Sequence, residues 1–182
     1  MTVWVVPLFA DEVKSKKSVH SRDVGPATAD ICAEAASVVH VTPFAKICLV
    51  TPTRKSDQLD GQERMYQHLV AHNGLSRNNI VMPDTTGYSF RTDGEMRILA
   101  RFLVSLEKAR EKETDIALSH NSVFLVARWF HLLRATAMLK KRLGQYKRIV
   151  RIEGFPVQSR DMMTLAREPF ALAWNTLQGN VL

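Results

Sequence analysis

The feature that most restricts this chain's fold is an alternation: short, nearly unbroken apolar runs take turns with longer amphipathic stretches. The runs are VWVVPLF at 3–9, KICLVTP at 46–52, NIVMPD at 79–84, SVFLVAR at 122–128 and RIVRIEG at 148–154. Apolar residues fill them without the polar alternation of a one-sided sheet, so they read as strands covered on both faces. Between them, 26–40, 58–73, 92–113 and 129–143 carry helical periodicity. Pro26 suits a first helical turn, Thr92 with Glu95 spells a capping box, and Gly74 and Gly144 suit helix ends. A last helical stretch at 159–178 flanks Pro169 and stops at Gly179.

Strands joined by helices of this length form crossover units. The expected fold is therefore α/β: a Rossmann-like three-layer αβα sandwich with a mostly parallel five-stranded sheet, in one domain over 1–182. Pro7 predicts an edge strand or an early strand end, because proline cannot donate to a ladder.

Composition narrows the function classes. With 46% hydrophobic and 24% charged residues, the chain is neither a disordered segment nor a disulfide scaffold. Cys32 and Cys48 lie in apolar surroundings without CxxC spacing, which predicts core residues and no metal or redox motif. The N-terminus has no basic region before its apolar start, and Pro7, Asp11 and Glu12 interrupt the run. That pattern fits neither a signal peptide nor a membrane span, so a cytoplasmic protein without a membrane partner is expected. The formal charge of +7 invites a nucleic-acid reading. Much of the excess falls on 107–113 and 139–148, as solvated helix faces, and no zinc finger or aromatic-interleaved motif accompanies it. Nucleic acid is not the expected partner, and oligomeric state is open.

Ligands of open parallel sheets bind beyond the carboxyl ends of the strands. Five loops then carry functional weight. After the second strand, Thr51, Thr53, Arg54, Lys55 and Ser56 precede a helix and could hold an anion, although the GxxxxGK[ST] phosphate loop is absent. A solvated basic loop explains the same residues. After the third strand, DTTGYSFRTDGE offers Ser89 and Arg91 for binding, with Thr92 and Glu95 as caps.

The fourth strand runs into VFLVARWFHLLRATAML at 123–139. Arg128 closes the strand, and helical spacing places His131 and Arg134 on one face, one turn apart. Imidazole can act as acid or base near neutral pH, and guanidinium can grip a phosphate or carboxylate in two-pronged fashion. Spacing alone leaves another reading open: a core-edge histidine, with Arg134 paired to Glu153 or Asp84.

The same residues carry a resemblance. VFLVARWFHLLRATAMLKKRLG resembles the strand, short turn and HxxRA helix of the YdcF/SanA/ElyC-like bacterial proteins, a domain family of largely unassigned function. Upstream, GQERMYQHLVAHNGLSRNNIVMPDTT is similar to the family's S-E-A helix, with Gly74 and then Ile80 six residues on. SFRTDGEMRILARFL is similar to its N-T-x-E-N helix start, and LAREPFALAWNTLQG to its closing helix, with Glu168 as the acid. The S-E-A glutamate falls at Gln62 or Glu63, and Arg22 matches a family arginine ahead of the first helix. Two departures fall at the ligand end: PLFADE and TPTRKS stand where the family has glycine-rich turns.

The resemblance implies a Rossmann-like fold and a retained site. The expected ligand is an anionic small molecule bound at the strand ends, nucleotide-derived, with S-adenosylmethionine as the cofactor that relatives suggest. His131 would be the acid/base, with Arg134, Arg128, Thr51, Arg54, Ser89, Arg91, Thr92, Glu63 and Arg22 lining the ligand, and no metal. Transferase or hydrolase chemistry would fit. The alternative is a degenerate, non-catalytic family member acting as an interaction or regulatory protein, a reading that the lost glycine turns favour.

Overall fold

The structure is a computed structural model, and it describes residues 2–10, 24–52, 61–89, 91–111, 121–144 and 150–157. Its elements follow in the expected order: β1 (Val3–Pro7), α1 (Pro26–Val41), β2 (Ala45–Cys48), α2 (Gly61–Ala71), β3 (Ile80–Val81), α3 (Thr92–Glu111), β4 (Asn121–Arg128), α4 (Trp129–Leu143) and β5 (Val150–Val157). The helical stretch expected at 159–178 lies outside the described residues.

All four strand pairings are parallel, in the order β3-β2-β1-β4-β5. The sheet is thus wholly parallel, one step beyond the mostly parallel sheet expected. Pleating sends successive side chains to opposite faces. Val3, Val5, Ile47 and Leu49 join a core with Ile31, Ala35, Met65 and Leu69 of α1 and α2. Trp4, Val6, Leu8, Cys48 and Val50 join the other core, with Met96, Leu99 and Leu103 of α3 and Leu132, Ala135 and Met138 of α4. Strands that bury both faces need the unbroken apolar runs seen in the sequence. Each fully buried aliphatic side chain contributes about 1.5–3 kcal/mol. Both cysteines are buried and unbridged, and burial pushes the Cys48 thiol far above its ordinary range.

Pro7 is not at an edge. β1 is central, flanked by β2 and β4. The Leu8 amide donates to Val126 O of β4 at 3.0 Å, so by alternation the Pro7 nitrogen faces β2. Pairing with β2 has already ended there, at Val5 with Ile47. A central strand therefore keeps its proline because the missing donor falls past the end of the neighbouring ladder. β3 is shorter than the run that signals it, since Pro83 follows two residues after Val81 and has no N–H to extend the pairing.

Two glycines allow close approaches. A Cβ on Gly154 of β5 would come within 2.6 Å of the Leu132 side chain, so the bare backbone seats α4 on the sheet. A Cβ on Gly94, in the first turn of α3, would meet the Ser89 carbonyl oxygen at 2.0 Å. The loop from β3 thus folds directly onto the start of α3.

Candidate functional site

The strand order reverses direction at β1, whose carboxyl end lies between those of β2 and β4. Such a switch point leaves a crevice that crossover loops cannot fill. Here it is reached by the loop after β1, by Thr51 after β2, and by the first turns of α3 and α4.

Glu95 stands at the centre. Its Oε1 accepts from the Phe9 amide at 3.4 Å and lies 3.4 Å from the Thr51 hydroxyl, which also approaches the Met65 sulfur at 3.4 Å. Its Oε2 lies 3.8 Å from His131 Nε2. His131 Nε2 in turn is 3.1 Å from Thr92 Oγ1, to which an Arg134 Nη2 donates at 3.0 Å. Guanidinium can only donate, so Thr92 accepts from Arg134 and keeps a hydrogen and a second lone pair, either of which can meet His131 Nε2.

Burial governs the charge state. The side chains of His131 and Glu95 are 12% and 5% exposed. Loss of water pushes Glu95 up to about 8, against the opposing pulls of the Phe9 amide, Thr51 and Arg134. Loss of water, and then the nearby Arg134 charge, push His131 down to about 3. At neutral pH the 3.8 Å contact therefore joins a carboxylic acid to a neutral imidazole and is not an ion pair. Arg134 carries the charge of the cluster.

Thr92 and Glu95 do not form the capping box that their spacing predicts. The first helical bond runs from the Glu95 amide to the Arg91 carbonyl at 3.1 Å, which makes Arg91 the cap residue and moves both side chains one position into the helix. Thr92 then faces α4, and the Glu95 carboxyl reaches the strand ends. Sequence reasoning placed Glu95 as a cap and so missed it as a site residue. The signal was present in the T-x-x-E spacing of Thr92 and Glu95, but capping explained it equally well.

The other expected residues divide cleanly. His131, Arg134, Thr92 and Thr51 are brought together. Arg128 is half-buried at the junction of β4 and α4, as the residue before the first turn. Ser89 and Arg91 are exposed in the loop leading into α3, where the Arg91 amide donates to Ser89 O at 2.8 Å. Glu63 is half-buried on α2 and accepts from Gln67 at 3.0 Å, within its own helix. Its neighbour Gln62 is the inward residue, donating to the carbonyls of Leu49 and Pro83. Arg22 and Arg54, with Thr53, Lys55 and Ser56, lie outside the described residues.

The partners proposed for Arg134 on spacing alone are engaged elsewhere: Glu153 pairs with Arg151, and Asp84 accepts from the Thr86 amide at 2.9 Å. Beside the cluster, Asp93 pairs with Arg97 at 2.9 Å and with Arg142, tying the start of α3 to α4. Among the described residues, no group of three His, Cys, Asp or Glu side chains is placed to hold a metal. Also among them, no helix is long and apolar enough to cross a membrane. Comparison of the chain with protein-family models, with curated proteins and with solved structures gave no match.

Proposed function

We propose that the chain binds an anionic small molecule in the crevice at the carboxyl ends of β1, β2 and β4. One observation carries this reading: Glu95 and Thr92 of α3, His131 and Arg134 of α4, Thr51 after β2 and the Phe9 amide after β1 converge there from four separate segments. Polar side chains cost free energy to bury, and a core built for stability alone would fill the place with apolar residues. Arg134 supplies the charge for an anion, and Arg128 at the end of β4 is near enough in sequence to add a second grip. The carboxylic acid and the neutral imidazole supply proton donors and acceptors that general acid or base chemistry requires, which fits a transferase or hydrolase. The resemblance to the YdcF/SanA/ElyC-like proteins points to a nucleotide-derived ligand such as S-adenosylmethionine.

A second reading is supported by the closure of the network. Thr92 serves both Arg134 and His131, so the cluster holds itself together without a ligand. A non-catalytic family member that kept this scaffold as an interaction protein would look the same. Thermal-shift measurement against nucleotides, S-adenosylmethionine and sugar phosphates separates the two. A ligand at a hundred times its Kd stabilises the folded chain by about 2.7 kcal/mol. His131→Ala and Arg134→Ala are expected to abolish that shift. A shift that survives both substitutions would remove the site from this crevice, and no shift from any anion would favour the scaffold.

A further inference from the structure

Glu95 and His131 each commit only one polar atom to the cluster. Glu95 Oε1 is used by the Phe9 amide and Thr51, whereas Oε2 accepts no hydrogen bond from a described residue. Its distance of 3.8 Å to His131 is too long for one. His131 Nε2 is used by Thr92, whereas Nδ1 bonds to no described residue. Two nearly buried side chains, on helices α3 and α4, thus hold an unused acceptor or donor in the same crevice.

We propose that Glu95 and His131 form a subsite for a hydroxyl group of the ligand, so that the crevice takes a hydroxyl-bearing anion, of the sugar-phosphate class, in preference to a bare anion. This deepens the anion-binding reading above and rests on it. A hydroxyl is donor and acceptor at one atom, and so are a carboxylic acid and a neutral imidazole taken as a pair. An ammonium group in the same place would meet the charge of Arg134. The neutral form of Glu95, which burial favours, also explains how a carboxyl can sit in an anion site without repelling its ligand.

Calorimetric titration with two probes, methyl phosphate and ribose 5-phosphate, tests the subsite. The unaltered chain is expected to bind ribose 5-phosphate about tenfold tighter or better, the worth of one or two good hydrogen bonds to buried groups. Glu95→Leu should erase that preference, and Glu95→Gln, whose amide both donates and accepts, should retain part of it. Equal affinity for the two probes overturns the subsite while the anion reading stands. Failure of both probes to bind overturns the two together. A measurement on the unaltered chain covers the case in which Glu95→Leu does not fold. The His131 ring Cε1–Hε1 signal, identified by its loss in His131→Gln, should move with ribose 5-phosphate and not with methyl phosphate. A ring signal indifferent to both sinks the proposal.

Discussion

The two helical layers treat their buried polar groups in opposite ways. Under α1 and α2, the buried polar side chains Thr28 and Gln62 serve the main chain: Thr28 accepts from the Ala10 amide at 3.2 Å, and Gln62 donates to the carbonyls of Leu49 and Pro83. Under α3 and α4, polar side chains bond mainly to one another, through Thr92, His131, Arg134, Glu95 and Thr51. The first pattern pins loops to the sheet. The second leaves polar atoms over, and leftover capacity at a strand switch point is what a ligand can use. One layer is architecture, and the other holds the candidate site.

Substitutions can break that contrast. The largest effects belong to the cores, where the layers should agree: Ile31→Ala under α1 and Leu99→Ala in α3 each remove a fully buried side chain. Each should lower unfolding free energy by about 2–5 kcal/mol in denaturant titration. A negligible loss for Leu99→Ala would mean that the α3–α4 layer is not packed as described.

Polar substitutions should separate the layers. Gln62→Ala leaves two carbonyls without their donor and should cost about 1–3 kcal/mol of stability, with any ligand-induced thermal shift unchanged. Thr92→Ala should abolish that shift at a smaller cost, because Thr92 is half-buried. If the two variants behave alike, the contrast fails.

Acidity offers a third handle. Glu95 is raised from an ordinary 4.5 to about 8, so its contribution to stability is full below pH 4.5 and is lost as pH rises through 8. His131 is lowered from 6.5 to about 3, so its contribution is full above pH 6.5 and is lost as pH falls through 3. The two opposing slopes cancel between about pH 4.5 and 6.5, and stability should fall on both sides of that plateau. Melting curves of Glu95→Gln should keep the acid limb and lose the alkaline one. An unchanged alkaline limb would contradict the buried, protonated carboxyl.

The smallest effect lies at the other end of the sheet. Thr42, Pro43, Phe44 and Ala45 form a turn closed by the Ala45 amide on Thr42 O at 3.2 Å. Its third position is Phe44, at φ 61°, where glycine is usual. The ring is 83% exposed, so its removal forfeits little packing. Phe44→Gly should raise stability by about 0.5–1 kcal/mol, the relief of left-handed strain less the entropy of a freer unfolded chain. A loss would show that the exposed ring is worth more than its geometry costs.

The fold was legible because burial on both faces writes itself into unbroken apolar runs. All five strands and the four described helices lie where those runs and periodicities put them. Pro7 marked an early strand end, since β1 stops there two residues short of its apolar run, but it did not mark an edge: the strand is central, and the lost donor faces β2 where that ladder has already stopped. The candidate site was legible only in part. Helical spacing and strand position found His131 and Arg134, but periodicity cannot say whether Glu95 caps its own helix or reaches across to Phe9, 86 residues away in the chain. A shift of the helix start by one residue decided that question, and such a shift leaves no mark on an apolar pattern.

The placement of β1 in the middle of the sheet has a kinetic consequence. Its partner on one side, β2, follows within the first crossover, but its partner on the other, β4, comes after three helices and two further strands. Pairings of such long range form late, because closing the intervening chain costs entropy before any contact repays it. A growing chain can assemble β1, α1, β2 and α2 and still have no crevice, since His131 and Arg134 arrive only with the far half of the sheet. The candidate crevice is therefore completed in the last step of folding, and a ligand of the proposed kind would select chains that have completed it.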